Sequence, residues 1–170
     1  MNWFKEAENG NFVNKVKMIL KKHKFTQSLA DYYHIPIEEV DNHLQIEICD
    51  LHGKFAEGNG KLIRIDKQLL DDNFFKENFH FVIHEFFHWL KRRSEEKFYF
   101  NDPEEVQSFV LQMTWEFIQG NNKEEVVKLM YPIISAHFND SDRSKKTFEE
   151  MLQKAIGLYE IYKNGGEFTI

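Results

Sequence analysis

A single cysteine, Cys49, leaves no intrachain disulfide and no cysteine-rich metal site open to this chain. It sits in an alternating apolar segment, where a buried, inert thiol is expected. Positive charge is not in excess. The net charge is −6, which argues against a dedicated nucleic-acid binder. Long apolar runs are missing as well. No stretch reaches the roughly 18 apolar residues of a membrane span. The start, Met1-Asn2-Trp3-Phe4-Lys5-Glu6, has none of the apolar run of a signal peptide. A cytoplasmic protein without a membrane partner is expected. Repeats, low-complexity blocks and long linkers are lacking too, so residues 1–170 read as one domain. With 42% hydrophobic and 15% aromatic residues, that domain should be a packed globule.

What is present centres on His84-Glu85-Phe86-Phe87-His88. This matches the HExxH pattern. Residues four apart on a helix project from one face, so His84 and His88 can grip one metal ion from consecutive turns. Glu85 lies beside that ion, where it can act as general base on metal-bound water. At about 100° per residue, Phe75, Phe79, Val82, Ile83, Phe86, Trp89 and Leu90 fall in one sector. His84, His88 and Glu77 fall opposite. A helix with a broad apolar face and a separate polar face carrying the motif is therefore predicted. Ordinary surface or capping histidines would not need that arrangement.

His80 extends the histidine stripe, but three histidines spaced by four cannot share one ion. Eight residues of helix rise about 12 Å, whereas zinc–nitrogen bonds are about 2 Å. Only the 84/88 pair brackets a glutamate. His80 is expected to line the site or stand near the helix start.

Catalytic zinc usually takes three protein ligands. The extended HExxHxxGxxH form would need Gly at 91 and His at 94, where Lys91 and Ser94 stand. A glutamate on the next helix is the remaining common solution. Asp102 is a plausible N-cap, Pro103 fits the first helical position, and Glu104 and Glu105 occupy the first turn. Acidic first turns also serve the helix dipole without any metal.

The motif helix followed by Asp102-Pro103-Glu104-Glu105-Val106-Gln107-Ser108-Phe109 resembles the gluzincin branch of the zincin metallopeptidases. It is most similar to small single-domain zincin-like proteins, many encoded by phages and mobile elements. The resemblance covers roughly residues 45–118. It implies an α+β, mostly helical, zincin-like fold with a small sheet beside the HExxH helix. It also implies one Zn2+ held by His84, His88 and Glu105, with Glu104 as the second choice for the third ligand. The implied activity is zinc-dependent hydrolysis of an intracellular protein or peptide, with Glu85 activating a zinc-bound water. Gln107 and Ser108 depart from the family pattern, where an acidic residue and an alanine are commoner. Tyr99, His137 and Tyr131 are candidates for stabilising the oxyanion. Glu116 and Asp102 are candidates for orienting a ligand histidine. A zincin-shaped zinc-binding regulatory or interaction protein without proteolysis, of phage or mobile-element origin, is the alternative. An all-helical interaction domain with an accidental motif is a third reading.

Elsewhere, helices are predicted at Phe12–His23 and at Gln27–His34, the latter capped by Thr26. Leu44–Cys49 and Lys61–Asp66 read as strands, which should pair. Asp50–Gly60 reads as a turn region. Lys123–Phe138 should be a helix bent or restarted at Pro132. Asp142–Lys163 should be a helix with a stripe of Phe148, Leu152, Ala155, Ile156 and Tyr159. The site core thus spans about 44–118 and the C-terminal helices about 123–163. Lys91-Arg92-Arg93 reads first as a solvated helix end favoured by the dipole, and second as a patch that steers an acidic substrate. His23, His34, His43 and His52 have no partner at ligand spacing.

Overall fold

Helices take up most of the chain, and a computed structural model describes residues 3–94, 104–139 and 141–166. Two compact units follow one another, Met1–Phe98 and Tyr99–Ile170. The first holds α1 (Trp3–Lys22), α2 (Lys24–Tyr32), α3 (Glu39–His43), β1 (Gln45–Cys49), β2 (Ala56–Gly58), β3 (Leu62–Asp66) and α4 (Asp72–Arg93). The second holds α5 (Glu104–Ile118), α6 (Lys123–Phe138) and α7 (Ser141–Lys163). With one small sheet among these helices, the architecture is α+β and mostly helical.

The sheet has the order β1-β3-β2. The two expected strands do pair, in parallel, with Ile46 opposite Ile63 and Ile48 opposite Ile65. β2 runs antiparallel along the other edge of β3, so part of the expected turn region is strand. Alternation decides the faces. Ile63 and Ile65 are buried, while Arg64 points outward and pairs with Glu47 at 3.3 Å and Glu57 at 3.4 Å. Gly58 lies opposite Ile63 and therefore shares the inner face. Asp66 ends β3 as a buried carboxylate that accepts from the Leu51 and Gln68 backbone N–H groups, at 2.6 and 2.8 Å. Charge-assisted bonds of this kind offset the cost of burying it.

α4 packs across the inner face of β2 and β3. Asp71 caps it by accepting from the Asn73 and Phe74 N–H groups. The apolar sector foreseen for it is buried throughout, from Phe75 to Leu90. Phe81 meets Phe55 at 5.5 Å between ring centroids, and Phe87 meets Tyr33, which caps the C-terminus of α2, at 6.0 Å, edge-on. These contacts fix the rotation of α4 about its own axis.

The first cap differs from expectation. α2 begins one turn earlier than Thr26 would allow, because His23 Nδ1 accepts from the Phe25 N–H at 3.2 Å. Burial lowers the His23 pKa, which keeps that nitrogen available as an acceptor. Thr26 instead turns its hydroxyl back to the His23 carbonyl.

In the second unit α6 runs unbroken through Pro132, started by a capping box between Asn122 and Glu125 and ended by Asn139 in the left-handed region. The buried stripe of α7 is Phe148, Met151, Leu152, Ala155 and Leu158. Ile156 and Tyr159 sit at its margin, half-exposed. Among the described residues, no helix is long and apolar enough to cross a membrane.

Candidate metal centre

His84 and His88 stand one turn apart on α4, with ring centroids 4.8 Å from each other. His84 is 9% exposed, and Glu85 and His88 are half-buried. The helix thus places two imidazoles side by side at the surface of a packed element. That is the condition for ligation without melting the core around them.

Glu85 is positioned by the sheet. Its carboxylate lies over the end of β2, where a β-carbon added to Gly58 would stand 2.6 Å from Glu85 Oε2. Any side chain at 58 would occupy the space that the carboxylate uses. The glycine therefore acts here through its lack of bulk. No sequence motif marks this contact. The only signal was a glycine inside what proves to be a strand, a common sign of close approach.

Among the described residues, His84, His88 and Glu105 form a group whose ligand atoms, one per side chain, all lie within 4.8 Å of one another. Two imidazole nitrogens and a carboxylate oxygen are a donor set that zinc accepts. The residues present therefore fit a metal ion. Glu104 is not in the group, and its carbonyl accepts from the Ser108 hydroxyl at 2.9 Å.

His80 is not in the group either. It is fully buried, with its ring against Phe81 at 4.2 Å between centroids. Burial, and then the neighbouring His84, push its pKa down to about 3. It stays neutral and belongs to the packing of α4.

The other candidates fall in different places. Tyr99 and Asp102 lie outside the described residues, as does Pro103. His137 is exposed near the end of α6, and its ring meets Phe109 edge-on at 5.2 Å. Phe109 is one turn beyond Glu105 on α5. Tyr131 packs edge-on against Phe148 at 5.1 Å and serves the α6–α7 contact. Glu116 lies eleven residues beyond Glu105, about 16 Å along the helix. Its Oε2 accepts from Asn121 Nδ2 at 2.5 Å. That distance removes it from the surroundings of Glu105. Burial raises its pKa to about 7, against the opposing effect of Asn121.

Cys49 is half-buried rather than enclosed. Burial first and Glu47 second raise its thiol pKa, which keeps it protonated. His34 and His52 both occupy left-handed turn positions, at φ 54° and 49°.

Compared with family models, with curated proteins and with solved structures, the chain finds no match in any of the three.

Proposed function

We propose that this protein is a zinc-dependent peptidase of zincin-like fold, acting on a protein or peptide in the cytoplasm. His84, His88 and Glu105 would hold the ion and Glu85 would be the general base. The observation that carries the reading is the arrangement on α4. Two adjacent imidazoles share a face, and a carboxylate between them in sequence is seated over β2 in room left by Gly58.

Zinc bound by these ligands would lower the pKa of a water molecule towards neutrality and polarise a substrate carbonyl. The chain supplies the rest. Glu85 takes a proton from the attacking water and returns it to the departing amine, so one carboxylate serves as base and then as acid. Its value depends on being held in one place, which the packing of α4 on β2 supports. The two histidines must be neutral to ligate, so affinity for the ion falls as they protonate. His137 or Tyr99 would be the donor to the oxyanion.

The test is Glu85→Gln. A peptide library is incubated with wild type and variant, and new termini are read by mass spectrometry. Wild type should cut and the variant should not, while both carry about one zinc per chain and melt at the same temperature. Cleavage that persists in the variant would remove Glu85 from the chemistry. A wild type that binds zinc but cuts nothing would favour a zincin-shaped binding protein. A wild type that takes up no zinc would end the reading altogether.

A further inference from the structure

The first unit contains a basic cavity that the proposed chemistry does not use. It has a volume of about 750 Å3 and is lined by His43, Gly60, Lys61, Trp89, Arg92 and Arg93, together with Gln45. That size is within the range of ligand sites. Among the described residues, none of those lining the cavity is acidic, in a chain whose net charge is −6. Basic residues in the last turn of α4 are explained by the helix dipole. The dipole does not explain why Lys61 from the β2–β3 turn and His43 from the end of α3 face the same cavity.

The cations are held in place. Arg93 Nε donates to Glu39 at 2.7 Å, and its guanidinium lies 5.5 Å from the centre of the Trp89 ring. The Arg92 side chain lies across Gly60, so closely that a β-carbon there would overlap it. Gly60 is required twice, since its φ of +77° also lies in the left-handed region. The turn itself is tied by Asn59 Oδ1, which accepts from the Lys61 and Leu62 N–H groups at 3.0 Å. Arg92 and Lys61 have no ionic partner among the described residues. Glu39 offsets the charge of Arg93, whereas Arg92 and Lys61 repel one another, and an anion in the cavity would offset that repulsion.

The cavity is also in register with Glu85. Arg92 follows Glu85 by seven residues, or about 10 Å along α4. The β2–β3 turn runs beside this stretch of α4, with Gly58 against Glu85 and Gly60 against the Arg92 side chain. An extended peptide covers about 10 Å in three residues.

We propose that this cavity holds a carboxylate of a bound peptide, so that the preferred substrates carry an acidic residue about three positions from the bond that reacts. The acidic preference rests on the peptidase reading only for its position, not for binding itself. Arg92 offers planar donors suited to a carboxylate, and Lys61 adds a point charge.

Binding can be tested without turnover, using full-length Glu85→Gln protein with zinc added. Acetylated octapeptides carrying one glutamate are titrated calorimetrically against matched glutamine peptides, with inorganic phosphate as a separate arm. The best glutamate peptide should bind about tenfold more tightly than its glutamine counterpart, as expected for a charge-assisted pair. That advantage should vanish in Lys61→Gln/Arg92→Gln and weaken with added salt, with the melting temperature unchanged. Equal binding of the two peptides would overturn the proposal. So would phosphate binding that depends on Lys61 and Arg92 while glutamate gives no advantage, since the cavity would then serve a free anion. A glutamate advantage in a protein whose wild type cuts no peptide would uphold the cavity and sink the peptidase reading alone.

Discussion

Gly58 and Glu85 compete for one volume: a methyl group at position 58 would meet the Glu85 carboxylate at 2.6 Å. The next nearest atom is the Leu62 carbonyl oxygen at 3.3 Å. The group that must yield is therefore the far end of a side chain rather than backbone. Gly58→Ala should displace the carboxylate without unfolding the sheet. Displacing a reacting group by about 1 Å can cost roughly a hundredfold in rate. The expected result is a loss of peptide cleavage on that order, with zinc content and melting temperature retained. In a Glu85→Ala background the same substitution should be neutral for stability. A large stability loss in both backgrounds would show that Gly58 serves the strand instead.

The ligand group makes a second prediction. Removing zinc with a chelator should lower the melting temperature, since an ion that binds only the folded chain stabilises it by mass action. His84→Ala, His88→Ala and Glu105→Ala should each lose at least about a hundredfold in zinc affinity. Metal analysis of the dialysed proteins measures this directly. Glu104→Ala should keep its zinc. If Glu104→Ala loses the ion and Glu105→Ala does not, the third ligand is the neighbouring carboxylate.

Glu116 should make the protein sensitive to alkali. Burial raises its pKa from 4.5 to about 7, so the folded state binds this proton more tightly than the unfolded one. Its contribution is fully present below pH 4.5, declines as pH rises through the interval to about 7, and is absent above it. The difference corresponds to about 3 kcal/mol. Glu116→Gln keeps a partner for Asn121 and has no charge to bury. Its melting temperature should match wild type near pH 5 and exceed it near pH 8. Parallel pH profiles of the two proteins would show that Glu116 is not buried as described.

His80 should act in the opposite direction. Its pKa is pushed down to about 3, below the unfolded value of 6.5. The stability tied to its neutral form is complete above pH 6.5 and is lost as pH falls through the interval below it. By NMR, the His80 ring signals should stay flat from pH 8 to pH 5. A midpoint near 6.5 would place the ring in solvent.

The motif helix was legible because its apolar positions repeat at the helical period from Phe75 to Leu90. β1 and β3 were legible because Ile46 and Ile48, then Ile63 and Ile65, alternate with polar residues. Their parallel pairing was not, since alternation is the same for either direction. β2 offers only Ala56-Glu57-Gly58, too short and too small to show a period. The cap of α2 was misplaced because histidine is an uncommon cap and Thr26 a common one. The two histidines and Glu105 could be read from spacing and resemblance. The seat of Glu85 could not, because it depends on a backbone 27 positions earlier in the sequence. The basic run at 91–93 was visible, but His43 and Lys61 reach the same cavity only through the sheet.

The sheet has one more consequence. All three strands lie between Gln45 and Asp66, joined by one hairpin and one short loop. Closing such short loops costs little chain entropy, so the sheet can assemble from local contacts early in folding. The contacts of α4 with β2 join residues farther apart in the chain and should form after the strands have paired. On that order of events Glu85 meets Gly58 late, and a substitution at either should speed unfolding more than it slows folding.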